Sequence, residues 1–170
     1  IAFASSHELI SGTGEQFFPD ENITRADFCV ALCKLSGADV SKYTMSSFTD
    51  VINENYTMPY IEWANQNMII GGNGDNMFGP EQAITYEQMG LMMIHYANAT
   101  GQTLPDSKQA ATYMQWAKNA VNAKGKEALS SSRYVTRAEA SVILRQFAIS
   151  TVYDKFNDYE ASTGNEQKLE

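Results

Sequence analysis

Histidine, cysteine and proline are all scarce in this chain of 170 residues, at two, two and four copies. With only His7 and His95 to join Cys29 and Cys33, the donors for a structural metal site are missing. The cysteines lie four apart on one flank of a predicted helix, which reads as a pair of buried thiols; the competing metal pair lacks further ligands. Positive charge is thin as well. Twelve Lys and Arg stand against twenty Asp and Glu, for a net charge of −8, and this excludes the clustered cations that nucleic-acid phosphates require. No apolar run reaches the length of a membrane-spanning helix, and no secretory leader is recognisable. Ser-His-Asp and Cys-His constellations are absent, and nothing pairs the many carboxylates as a glycosidase would, so the chain reads as non-catalytic, with no cofactor.

What is present is repetition, which decides a fold before any single motif does. Thr24, Thr85 and Thr136 align without gaps in their flanks. Ile23, Ile84 and Val135 precede them, Arg25, Tyr86 and Arg137 follow, and Asp27, Gln88 and Glu139 lie three residues on. Each threonine is a helix N-cap, with the acid or amide placed to close a capping box. Behind each cap the apolar residues recur at helical spacing: Phe28, Ala31, Leu32, Leu35; then Met89, Met92, Met93, Tyr96; then Ala140, Ile143, Leu144, Phe147. The Met run reads as malleable core filling. The threonines are 61 and 51 residues apart, near the kelch period, but the helical content excludes a propeller.

Upstream of each repeated helix sits a second pattern. The middle copy is complete: a predicted helix over Met58–Ile70 containing Trp63-Ala64, a glycine stop at Gly71-Gly72, and the loop Phe78-Gly79-Pro80. Ile1–Ile10, Ser11-Gly12-Thr13-Gly14 and Phe17-Phe18-Pro19 form its first counterpart. In the third, Tyr113-Met114-Gln115-Trp116-Ala117 and Gly125 remain, while Leu129 and Ser131 replace the loop aromatic and proline, so that loop must pack differently. Trp63 and Trp116 read as core rather than sugar platforms. The Gly71–Asn76 loop lacks both the Lys-Ser/Thr of a phosphate loop and the acids of a calcium loop. The start at Ile1-Ala2-Phe3-Ala4 lies inside a helical pattern and reads as cut from a longer precursor; Leu169-Glu170 read as a cloning remnant.

Phe48-Thr49-Asp50, Trp63-Ala64, Ile69-Ile70-Gly71-Gly72, Phe78-Gly79-Pro80 and the starts Thr24-Arg25-Ala26-Asp27 and Thr136-Arg137-Ala138-Glu139 together resemble the S-layer homology module. The resemblance implies an all-α fold: three repeats, at about 1–40, 41–101 and 102–157, form one pseudo-threefold domain, with the Thr-capped helices as a central three-helix bundle and the other helices as outer prongs. Residues 158–170 form a polar tail. It further implies an extracellular anchoring module at the bacterial cell wall. Its partner would be a secondary cell-wall polysaccharide, commonly a pyruvylated glycan, bound in grooves between repeats. Carried over by position, Arg25 and Arg137 would take the anionic ketal carboxylate, with Thr24, Thr136, Asp27, Glu139 and Gly72 completing the ligand-binding set. A guanidinium at a helix N-terminus would add its fork to free backbone N–H groups and a positive dipole end. Tyr86 and Gln88 break the pattern in the middle copy, so that groove is expected to be silent or to stack a sugar. Two other readings stay open: the arginines as internal caps paired with Asp27 or Glu139, and a degenerate module used for protein contact or self-association.

Overall fold

The structure, a computed structural model, describes residues 9–10, 16–102 and 132–149. The predicted helix over Ile1–Ile10 lies outside these residues except at its end. The third-copy helix at Tyr113–Ala117, the third loop at Leu129 and Ser131, and the tail lie wholly outside them. The described part is helical: α1 (Arg25–Ser36), α2 (Met58–Gln66), α3 (Tyr86–Thr100) and α4 (residues 137–149).

The caps form as the threonine pattern requires. Thr24 and Thr85 are extended, and their hydroxyls accept from the backbone N–H of Asp27 and Gln88. Thr136 does the same with Glu139, at 3.2 Å. Gln88 and Glu139 close their boxes by accepting from the N–H of Thr85 and Thr136, at 3.0 and 2.9 Å. Asp27, one methylene shorter, turns its carboxylate elsewhere. Helix α2 stops four residues short of the predicted Ile70. Asn67 donates its side-chain amide to the Trp63 carbonyl at 2.8 Å, and Met68 takes a left-handed φ of 58°. That reversal turns Ile69 and Ile70 into the core, at 0% and 8% exposure.

The three cap segments meet one another. Ile23 N–H donates to the Val135 carbonyl at 2.9 Å, Val135 N–H to Ile84 at 3.0 Å, and Ile84 N–H to Ile23 at 3.1 Å, which closes a ring of backbone hydrogen bonds. A second set runs the other way round. The N–H groups of Arg25, Tyr86 and Arg137 donate to the carbonyls of Gln82, Arg133 and Glu21, at 2.8, 3.0 and 2.8 Å. Isolated antiparallel bridges (Asn22 with Thr136, Thr24 with Ala83, Thr85 with Tyr134) mark the same junction. Here sequence positions at least 47 residues apart satisfy one another's main-chain groups, as burial demands.

Below the junction the stripes coincide with the core. Phe28, Leu32, Met89, Met93, Tyr96, Ala140, Ile143, Leu144 and Phe147 are fully buried, as are Ile23, Ile84 and Val135 at the ring. Tyr96 links the layers, with ring centroids 6.5 Å from Trp63 and 5.8 Å from Phe147. Trp63, at 5% exposure, belongs to this core as predicted. Cys29 and Cys33 are free thiols inside it. Burial pushes their pKa values up to about 12 and about 11, so both stay protonated at neutral pH.

Because Phe147 joins the last repeated helix to this shared core, Phe147→Ala is expected to lower stability by about 3–5 kcal/mol. Urea unfolding of the variant, followed by circular dichroism, should show one displaced transition; a loss under 1 kcal/mol would mean that α4 does not share the core.

Candidate functional site

The two arginines that open α1 and α4 occupy equivalent places and have unequal surroundings. Arg25 is 6% exposed. Its Nε donates to the Phe78 carbonyl at 2.9 Å, its Nη2 to the Gly71 carbonyl at 3.1 Å, and its guanidinium lies 4.6 Å from the Phe78 ring centroid. Burial pulls its pKa below the ordinary arginine value, with the nearby Asp50 carboxylate acting the other way.

The loop that receives Arg25 is itself tied down by the Phe-x-Asp motif. Asp50 accepts from the N–H groups of Phe78 and Gly79, both at 2.7 Å, and the Phe48 ring sits 5.4 Å from that of Phe78. Burial acts to raise the Asp50 pKa, but those two N–H bonds and the nearby Arg25 hold it below the ordinary 3.8. Gly72 belongs to this buttress: a methyl group there would meet the Met77 carbonyl at 2.8 Å and Phe48 at 3.1 Å. Glu62 on α2, 3% exposed, does a similar task. It accepts from the Ser47 N–H and hydroxyl and from Gln66, all at 2.9 Å, and so fastens the loop before Phe48.

Arg137 repeats the pattern more openly. Its Nε donates to the Phe17 carbonyl at 3.0 Å and its guanidinium stands 5.2 Å from the Phe17 ring centroid, while Nη1 reaches Asp27 at 3.4 Å. The side chains of this pair are 11% and 29% exposed. They border a cleft of about 50 Å³ lined also by Leu9, Ile10, Val30, Lys34 and Tyr56. Tyr56, 69% exposed, donates its hydroxyl to Asp27 at 3.4 Å. Desolvation, and then the Asp27 charge, push that hydroxyl above the ordinary tyrosine range. Leu9, Val30, Lys34 and Tyr56 carry no motif that marks them. Only the approach of α1, α4 and the loop before α2 brings them together.

Two expectations change here. The N–H groups at the helix starts are not free for a ligand. Those of Arg25 and Ala26 donate to Gln82 and Pro80, those of Arg137 and Ala138 to Glu21 and Pro19, and the cap hydroxyls take the next ones. An anion at these helix starts must therefore be held by side chains. Tyr86 is no stacking platform either, because it is 0% exposed. The Arg133 guanidinium covers its ring at 5.4 Å and pairs with Glu139. Arginine and aromatic have exchanged sides at this junction. The signal was in the sequence, since Arg133 stands where the other copies have Glu21 and Gln82. Among the described residues no cluster of His, Cys, Asp and Glu is fit to hold a metal ion, and no helix is long and apolar enough to cross a membrane.

Residues 1–29 and 47–89 match the S-layer homology domain. The chain belongs to the S-layer homology family. S-layer homology domains are non-catalytic anchoring modules, and the family places this chain at the bacterial cell surface. Similar proteins of Acetivibrio thermocellus agree. Exoglucanase XynX is 30% identical over 159 residues, 83% of this chain and 14% of the relative. Cell surface glycoprotein 1 is 32% identical over 82 residues, 47% of this chain and 4% of the relative. The Cellulosome-anchoring protein is 29% identical over 91 residues, 52% of this chain and 20% of the relative. The chain thus spans a small part of each of these relatives.

Replacing Arg25 by Ala would leave the Phe78 and Gly71 carbonyls without their cation, so Arg25→Ala is expected to cost about 3 kcal/mol in urea unfolding. Arg137→Ala, at a more open site, should cost about 1 kcal/mol. Acid stability follows Asp50 and Glu62. Glu62 too is held below its ordinary value of 4.5, with burial opposing and the hydrogen bonds from Ser47 and Gln66 prevailing. A carboxylate whose folded pKa is depressed stabilises the fold above its unfolded pKa and loses that contribution as pH falls through the folded one. The urea midpoint should therefore hold down to about pH 4.5 and fall steeply below it. Asp50→Asn should lower stability at neutral pH and flatten the acid limb; an unchanged limb would remove Asp50 from this role.

Proposed function

We propose that this module fastens its parent protein to the cell wall by holding an anionic group of a secondary cell-wall polymer in the cleft at Arg137. The observation that carries this reading is the contrast between the two arginines. Arg25 is buried, whereas Arg137 is half-buried and borders a partly exposed cleft with Lys34 alongside. Among the described lining residues Arg137 and Lys34 outweigh Asp27, a net +1 on a chain whose total is −8. The cleft, about 50 Å³, has Arg137 at its border to pair with a carboxylate. A pyruvate ketal fits, with its carboxylate at Arg137 and its sugar resting on exposed Tyr56.

On this reading Arg137 and Tyr56 form the binding set, with Asp27 accepting from both and Thr136 and Glu139 orienting the α4 start. Thr24, Arg25 and Gly72 hold the scaffold. The ring through Ile23, Ile84 and Val135 supports a pseudo-threefold arrangement of three repeats in one domain over residues 1–157. Catalysis, if the parent protein has any, belongs to another part of it. The rival reading, protein contact or self-association, draws on exposed Met45, Ile52 and Met68, at 69%, 68% and 81%.

The test is sedimentation with purified bacterial wall sacculi, intact or stripped of secondary polymer. The chain should pellet only with intact walls, and Arg137→Ala should reduce the bound fraction at least tenfold, about 1.4 kcal/mol. Equal recovery on stripped walls would refute polymer anchoring. Concentration-dependent self-association without wall binding would favour the rival.

A further inference from the structure

Asn73-Gly74 is the one place in the 170 residues where asparagine precedes glycine. Each residue has a structural reason to stand there. Gly74 turns the loop with a φ of 99°, in the left-handed region that glycine accepts without strain, and its carbonyl receives the Met77 N–H at 2.8 Å. Asn73 commits its side-chain amide to a clamp: Nδ2 donates to the Phe78 carbonyl and to Gln82 Oε1, both at 3.0 Å. The clamp is packed onto the turn, since a methyl group at Gly79 would meet Gln82 Cδ at 2.6 Å and Asn73 Nδ2 at 2.8 Å. It is also part of the Arg25 socket, because the Phe78 carbonyl takes Arg25 Nε as well and the Gly71 carbonyl takes Nη2. Asn73 and Gly74 are both exposed to solvent, and the Gly74 N–H donates to no acceptor among the described residues.

We propose that Asn73 is a latent modification site, an asparagine that converts without an enzyme to aspartate and isoaspartate at a rate set by its clamp to Phe78 and Gln82. The reaction consumes water and releases ammonia. The Gly74 nitrogen, with no side chain beside it to hinder approach, gives up its proton and bonds to Asn73 Cγ; the Cγ–Nδ2 bond breaks, and Nδ2 leaves with that proton as ammonia. Water then opens the succinimide at Cγ, giving aspartate, or at the Asn73 main-chain carbonyl carbon, giving isoaspartate. Ring closure needs the Asn73 amide to swing out of its clamp, so the folded loop opposes a step that the sequence favours, and conversion proceeds from the locally open loop. Either product puts a carboxylate where a donor stood. It faces the Phe78 carbonyl and Gln82 Oε1, which it cannot satisfy. Isoaspartate also adds a methylene to the main chain beside Gly72, which is already close against the Met77 carbonyl and Phe48. Conversion therefore loosens the socket that holds Arg25. This inference does not depend on the anchoring reading of the Arg137 cleft.

The test incubates the folded full chain in warm, mildly alkaline buffer made with heavy-oxygen water and follows label at Asn73 by peptide mass spectrometry. Asn73 should take up label more slowly than in the same chain unfolded in guanidinium chloride. Gln82→Ala, which removes one of the two acceptors at an exposed position, should convert about fivefold faster than the parent, the factor that loss of one hydrogen bond gives in the opening equilibrium. Gln82→Glu keeps an oxygen in that place and should convert at the parent's rate, which separates the clamp from a general loosening. Equal rates in folded and unfolded chains, or a Gln82→Ala rate no higher than the parent's, overturn the clamp; absence of label at Asn73 in both chains overturns the site. Asn73→Asp reproduces the aspartate product. Its urea midpoint should fall below the parent's, and an unchanged midpoint would overturn the effect on the Arg25 socket.

Discussion

Everything in this module hangs on the closed ring of main-chain hydrogen bonds among Ile23, Ile84 and Val135. Three short extended segments, each too small to form a sheet, find in one another the partners that a buried backbone must have. The β-branched side chains favour the extended backbone that makes these bonds, and each is fully buried at the mouth of the core. Because the threonine cap follows at once, the ring also aims α1, α3 and α4. None of these helices has a stripe that is stable alone in water, so the ring and the shared core depend on each other.

The ring explains why equivalent residues acquire different duties. Each helix start donates its first N–H to a neighbouring segment, so the helix ends are structural joints before they are ligand sites. What remains variable is the side chain just after the cap. Arg25 reaches a loop that Asp50, Asn73 and Gly72 have shaped into a socket and is absorbed by it; Asn73 donates to the same Phe78 carbonyl at 3.0 Å. Arg137 reaches Phe17, where the position corresponding to Gly79 is Phe18, with a left-handed φ of 50° and 37% exposure. There the guanidinium stays beside a cleft.

The middle junction shows the same interaction solved in reverse. Tyr86 replaces the arginine, and Arg133 from the next cap segment covers the ring. An arginine lying on an aromatic ring is kept although the two residues have exchanged sides. That exchange keeps the polar end of a buried aromatic next to charge, and it leaves Tyr86 unable to face a sugar.

Much of this could be read in the residues. The caps, the three stripes and the buried cysteines are properties of local spacing, and a 3.6-residue period with a Thr cap leaves a helix few alternatives. The family likeness was equally legible in Phe48-Thr49-Asp50, Trp63-Ala64 and the two Thr-Arg starts. The end of α2 was not, because Ile69 and Ile70 continue a helical pattern and only the reversal at Met68 sends them into the core. Tertiary structure alone decided which arginine is enclosed, that the helix-start N–H groups are already taken, and that Asp27 meets Arg137 across 110 positions of chain. The reason is physical. Periodicity and capping are set within a few residues, whereas burial, charge pairing and donor availability depend on which distant segment arrives as neighbour.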